Sequence, residues 1–417
     1  MRRAPAVLLL ALVAVPRVGW TQGGVPIGPE FRANTYTTGV QSGVSVAADP
    51  EARFVVVWES DGQDGSDLGI FGQFFFINGI PQGPEFRVNT YTTSFQNSPS
   101  VAMTGAGNFV VAWQSWQDGD GSGVFGQRFL AGGLPNGPEF RVNTYTTGHQ
   151  YLAAAATDII GNFVVVWNGA GEGDTDGIFG QRFAAGSGVP LGPEFRVNTY
   201  TTGIQHFPAV ASDFGGNFVV VWQDGSLFEG GRGVFGQRFD SSGAPVGPEF
   251  QVETYTTGLQ GYPSVAADAS GDFVVVWASE TPGPFPAVFG QRYSSTGVPL
   301  GPQFQVNTYT GGALNVPARV TSDGSGNFVV VWGSGPDGDS WGVFGQRYAS
   351  SGDPVGSEFL VNTYTTRGQM QPAVGTIGGG TFVVAWESYG QDGSSWGVFS
   401  QRYSAILPVE LMRFGVE

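Results

Sequence analysis

Three groups of residues have the types and spacing to do chemistry. The first is aspartate in glycine-rich runs: Asp118 and Asp120, Asp337 and Asp339, and the closely spaced Asp174 and Asp176. Hard cations such as calcium take six to eight oxygen ligands, which clustered carboxylates supply. No loop matches the D-x-[DN]-x-[DN]-G pattern with a distal glutamate, and Asp and Gly are also ordinary turn residues. Calcium therefore enters as an optional ion, and no other cofactor is called for. The second group is aromatic: Trp116, Tyr151, Trp341, Tyr389 and Trp396, with Phe95, Phe207, Tyr262 and Phe285. Rings beside carboxylates and amides suit a sugar, whose apolar face stacks while its hydroxyls hydrogen-bond. The competing reading packs the same rings as wedges between structural units. The third group is His149 and His206, the only histidines. If they converge they form a metal or acid–base pair; His206 also joins Tyr151 as a candidate ligand contact.

Catalytic signatures are missing. There is no G-x-S-x-G elbow, H-E-x-x-H helix or phosphate-binding loop, so no catalytic residue is assigned. The formal net charge of −16, with arginine as the only basic side chain besides histidine, excludes nucleic acid and anionic lipid as natural partners. Neutral polymers or cations fit better. With no cysteine, neither disulfides nor thiolate metal sites are available.

The elements that must position these residues are set by an internal repeat. The phrase FVV(V/A)W ends at Trp58, Trp113, Trp167, Trp222, Trp277, Trp332 and Trp386, at intervals of 54 or 55 residues. The phrases NTYT and GVFGQR recur with it. Each unit contains four runs rich in Val, Phe, Tyr and Thr, separated by Gly, Asp, Asn or Pro turns. In the fourth unit they span 208–212, 217–223, 233–240 and 249–256 and are lettered A to D. Such a unit cannot bury both faces alone, so neighbours must stack. A lone D-type run at 30–38 opens the repeats, and the last unit stops after its C run at Tyr403. Pairing the two closes a ring. The expected fold is all-β: a seven-bladed β-propeller of four antiparallel strands per blade, spanning 24–404, with the N-terminal strand completing the last blade.

The phrases GVFGQRF, GPEFRVNTYTT and NFVVVW resemble the tandem propeller-type repeats of large secreted or surface proteins of bacteria. The resemblance covers about residues 28–404. It implies export and a repeat scaffold, often beside calcium-binding or adhesion modules, but no agreed activity; the GGxGxD nonapeptides of such companions are absent. Sialidase-type propellers carry an S-x-D-x-G-x-T-W turn and an arginine triad, and neither is evident. Export agrees with residues 1–23, where Arg2 and Arg3 precede the apolar run AVLLLALVAV, as in a signal peptide. No later segment is apolar enough to span a membrane, and residues 405–417 form a short tail. The expected location is extracellular, cell-surface or periplasmic.

Comparing the copies locates the expected site. The A–B and C–D turns are nearly uniform, whereas the D–A and B–C loops vary, and an up-and-down blade places both variable sets on one face. The seven FVVVW tryptophans read as core. The GQR arginines (Arg128, Arg182, Arg238, Arg292, Arg347, Arg402) are expected to pair across the C–D hairpin with Glu85, Glu139, Glu194, Glu249 and Glu358. The expected function is a non-catalytic binding or adhesion module that recognises an extracellular glycan or protein through the variable face. Its alternatives are a carbohydrate-active hydrolase or lyase using carboxylates there, and a structural surface protein.

Overall fold

The computed structural model describes residues 24–225, 233–254, 258–280, 287–308, 314–335 and 340–404. The signal-like leader, the tail, Asp337, Asp339 and Phe285 lie outside them. Among the described residues there is no helix, hence none able to cross a membrane.

Seven antiparallel sheets form the seven blades of a closed β-propeller. The A strands of blades 1 to 7 are Gln41–Asp49, Gln96–Met103, Gln150–Thr157, Gln205–Ser212, Gln260–Ala267, Leu314–Ser322 and Gln369–Gly378. Each contacts the A strand of the next blade, and the seventh contacts the first. Strand B carries FVVVW and is buried on both faces, which is why it reads as a continuous apolar run instead of an alternating one.

The cores lie between blades. One joins Val219 and Val221 of blade 4 to Val275, Trp277 and Phe289 of blade 5. Another joins Val383, Ala385 and Val398 of blade 7 to Phe54, Val56 and Trp58 of blade 1. All seven repeat tryptophans are 0–1% exposed, as their core reading requires. Each buries roughly 150–250 Å², a gross gain of about 4–6 kcal/mol before entropy is subtracted. Below them, the first Phe of each FVVVW stacks on the aromatic that follows GQR, as Phe109 does on Phe129 at 4.8 Å. A Phe from the preceding blade's D strand leans on the pair, Phe86 lying 5.4 Å from Phe129. The glycine of GVFG is needed here: a Cβ on Gly126 would stand 2.8 Å from the Phe140 ring.

Ring closure follows the expected route. Val25–Pro26 and Phe31–Arg32 both pair with the last strand, Val25 opposite Ser404 and Phe31 opposite Ser400. Phe31 then leans on Phe75 of blade 1 at 5.2 Å, so one segment completes blade 7 and seals it to blade 1.

Two local details differ from the sequence reading. Most D strands are shorter, with two ladder residues such as Phe250–Gln251, whereas that of blade 6 spans Pro354–Leu360. Beyond them an asparagine side chain replaces the ladder: Asn89 Oδ1 accepts the Ile70 amide at 2.7 Å while Nδ2 donates to the Tyr91 carbonyl at 2.8 Å. The A strands begin earlier, because a bulge interrupts each one near its start, as between His206 and Ala209.

The expected arginine–glutamate pairs do not form. Arg238 donates to the Ser295 carbonyl of the next blade at 2.8 Å, and Arg402 to Ile77 of blade 1 at 3.0 Å. The glutamates instead reach back one blade: Glu139 accepts both the amide (2.6 Å) and the hydroxyl (2.8 Å) of Thr90. Glu30 of the N-terminal segment does the same for Thr363. The wedge geometry brings neighbouring blades closer to these side chains than the hairpin partner is. Both residue types therefore join blades.

Phe31→Ala should lower stability by about 2–3 kcal/mol, since it removes a ring wedged at the closing seam. Thermal or denaturant unfolding checks this, and a change below about 0.5 kcal/mol would contradict the sealing role assigned to Phe31.

Candidate functional site

The seven A strands enclose a central channel of about 920 Å³. At its mouth the D–A and B–C segments are hydrogen-bonded together: Asp61 N–H donates to Val40 O in blade 1, and Tyr389 N–H to Gly368 O in blade 7. Both variable loop sets thus share the face that surrounds the opening.

The bulge shapes this rim. Ser98, Leu152, Phe207, Tyr262 and Gln371 occupy equivalent positions and all have left-handed backbones, with φ between 51° and 55°. In blade 1 the position is Gly43, φ 61°. Each non-glycine costs of order 1–3 kcal/mol in strain, and the bulge directs these residues to line the channel. The freed amides find partners on the preceding blade's B strand, in the residue that follows the repeat tryptophan. Glu387 accepts from Gly43 at 2.7 Å, Glu59 from Ser98 at 2.6 Å, and Gln223 from Tyr262 at 3.3 Å.

The rim is chemically asymmetric. Blades 3 to 5 supply an aromatic arc. Tyr151 and His206 have ring centroids 6.4 Å apart, His206 and Phe207 5.8 Å, and Phe207 and Tyr262 4.5 Å. The Tyr151 hydroxyl donates to Asp176 Oδ1 at 3.2 Å. Burial, then the Asp176 charge, raises the Tyr151 phenol to about 12. Burial also pushes the Asp176 carboxyl up and the His206 imidazole down, each partly offset by the other's charge.

Blades 7 and 1 supply carboxyls. Gly43 lies between two of them: its amide is bonded to Glu387, and a Cβ on it would stand 2.5 Å from Glu59 Oε1. Burial raises Glu387 to about 8, with further upward pressure from Glu59, which burial raises as well. Blade 6 adds Arg319, among the described residues the one basic side chain lining the channel.

Of the residues singled out in sequence, Tyr151, His206 and Asp176 come together, and Phe207, Tyr262 and Trp396 line the channel. Trp396 packs edge-on to Tyr389 at 5.1 Å, with Arg367 over the Tyr389 ring at 5.2 Å. Trp116 is 45% exposed and leans on His149 at 5.3 Å, away from the channel lining. Trp341 is half-buried, and its carbonyl accepts the Gln369 amide at 2.8 Å. The histidines occupy different seams, His149 accepting from the Ser122 amide at 3.2 Å. Asp118 and Asp174 accept the amides of Asp120 and Asp176 and the side chains of Asn143 and Asn198. Asp120 accepts the Gly148 amide at 3.4 Å. Among the described residues no group of three or more His, Asp or Glu is placed to hold a metal.

Sequence reading missed Glu59, Glu387 and Arg319. The signal was present in the copies: the residue after each repeat tryptophan reads Glu, Gln, Asn, Gln, Ala, Gly, Glu around the ring. Outer grooves at the blade seams, one of about 650 Å³ between blades 3 and 4, contain the repeating Thr–Glu contacts and are not unique.

No family model matches the chain, and no curated protein matches it in sequence. Solved structures match its fold. A protein of unknown function from Dyadobacter fermentans aligns with TM-score 0.55 at 10% identity, over 92% of this chain and 99% of its own. The β-propeller domain of the Trilobed protease from Pyrococcus furiosus, described as having an open velcro topology, gives 0.50 at 8% identity, over 92% and 100%. These likenesses establish the propeller architecture alone.

A raised Glu387 means that the folded state holds its proton more tightly than the unfolded chain does. This stabilisation is complete below the ordinary value near 4.5 and is lost as pH rises through about 8. Glu387→Gln should therefore match wild type at pH 4 and melt roughly 3–6 °C higher at pH 9. Equal melting at both pH values would refute the assignment.

Proposed function

We propose that the protein is an exported binding module that takes a glycan at the channel mouth on its variable face. The observation that carries this reading is the aromatic arc of Tyr151, His206, Phe207 and Tyr262, of which Phe207 and Tyr262 line the central channel. Partly exposed rings present faces on which sugar rings stack, and the carboxyl and amide groups beside them match sugar hydroxyls. The strained backbones of Phe207 and Tyr262 support a functional role, since such strain accumulates where a side chain must be aimed. Export rests on the leader and on the repeat resemblance. Calcium is not needed for this reading.

A second reading, a carbohydrate-active hydrolase, is favoured by one observation: two carboxyls meet at Gly43 and at least one is held protonated near neutral pH, as a general acid requires. Glycan-array binding followed by a turnover assay on the bound sugars separates the readings. The expected result is binding without turnover, and turnover abolished by Glu387→Gln would establish the second reading instead. Phe207→Ala and Tyr262→Ala should each weaken glycan binding by about tenfold or more. Unchanged affinity in both would remove the arc from the site.

A further inference from the structure

One side chain in the channel breaks the sevenfold pattern in charge as well as size. The position opposite the residue before each repeat tryptophan is Ser45, Ser100, Ala154, Ala209, Ser264 and Ala373 in six blades. In blade 6 it is Arg319, opposite Val331. Where serine stands there, its hydroxyl accepts an amide of the next blade: Ser45 from Val101 at 3.3 Å, Ser100 from Ala155 at 3.1 Å and Ser264 from Val320 at 3.2 Å. The position thus belongs to the channel wall, and three blades use it to join neighbours. Arg319 has been exchanged for that small residue.

The guanidinium is poorly served by the protein. Among the described residues its one hydrogen bond is from Nη1 to the neighbouring Ala318 carbonyl at 3.3 Å. The ion pairs found among them belong to Arg53, so no described carboxylate lies within 4.0 Å of Arg319. Surrounding protein lowers its pKa to about 10, which leaves it charged at neutral pH. A cation withdrawn from bulk water without a counter-ion is costly unless something arrives to pair with it. It faces a cavity large enough for a sugar residue. It also stands next to the arc. The Ser264–Val320 contact fixes Arg319 beside the blade 5 wall, about two residues deeper than Tyr262.

We propose that Arg319 recognises the carboxylate of an acidic sugar, a uronic acid residue of the glycan that stacks on Phe207 and Tyr262. The proposal rests on the glycan reading and names its ligand class. The planar guanidinium fork matches a carboxylate bidentately, and in an enclosed site such a pair is stronger than in water. Stacking positions the ring, and Arg319 selects the acid. Glu387 stands in the neighbouring blade 7 and Glu59 in blade 1, and neither forms an ion pair with Arg319. In its protonated form, Glu387 donates a hydrogen bond instead of repelling the ligand.

The test measures binding of the full chain to oligogalacturonate, to the same oligomer methyl-esterified, to a sulfated oligosaccharide and to a neutral oligosaccharide. Wild type should prefer the free acid over its methyl ester by about 10- to 100-fold. Arg319→Ala should reduce that preference to within about twofold, and Arg319→Lys should restore only part of it, since lysine keeps the charge and loses the fork. The ester comparison needs no variant, so misfolding of Arg319→Ala cannot hide the answer. Equal binding of acid and ester by wild type overturns the role of Arg319 while leaving the glycan reading intact. Sulfated sugar bound as tightly as uronate overturns the carboxylate assignment. Failure of every sugar to bind overturns both.

Discussion

A blade of this protein has no interior of its own. Strand B is apolar on both faces, and what covers those faces is the next blade on one side and the previous blade on the other. Seven such blades in an open row would leave two apolar faces in water. The chain avoids this by lending Val25–Pro26 and Phe31–Arg32 to its last sheet, so the seam between blades 7 and 1 has an aromatic contact, Phe31 on Phe75, and a Thr–Glu contact, Thr35 on Glu85, like those of other seams. The hydrophobic gain is thereby distributed around a circle, and removing any one seam exposes two faces at once.

The circle also makes the site. Packing wedges around an axis brings seven inner strands side by side, and their bulges bring the rim residues of blades 1 to 5 and 7 to a common opening. Uniform repeats would line that opening uniformly. This chain instead uses the rim for differences: aromatic side chains in blades 4 and 5, a guanidinium in blade 6, and carboxyls from blades 7 and 1. At several seams these positions contribute hydrogen bonds, through Glu59, Gln223 and Glu387 after the tryptophan and Ser45, Ser100 and Ser264 on strand A, while alanines at the strand-A position of other blades pack into the apolar clusters. Glutamate in place of glutamine keeps the acceptor but adds a titration, which is how chemistry enters a structural position.

The architecture was legible because it depends on patterns that a single chain repeats seven times. Tryptophan spacing gave the blades, and the unmatched segment at 30–38 gave the closure. Loop variation identified the face, and Tyr151, His206 and Asp176 lie together on it. What stayed hidden depends on relations between blades. Arg238 and Glu249 look like hairpin partners in sequence, yet each finds closer company across a seam. Glu59 and Glu387 are 328 positions apart and meet only because the ring closes. Arg319 sits in a strand whose sequence departs only slightly from its copies, and its isolation is a property of the cavity. Asp118 holds its own turn and Asn143, ordinary work for an aspartate in a loop, while Asp337 and Asp339 lie outside the described residues.

Ring closure can be tested in one measurement, because the chain contains no cysteine. Val25 and Ser404 face each other across the closing ladder, so replacing both with cysteine gives a unique pair at bonding distance. Mild oxidation should form an intramolecular disulfide in nearly all molecules and raise the melting temperature by several degrees. A pair that stays reduced, or that links only one chain to another, would show the ends apart and the ring open.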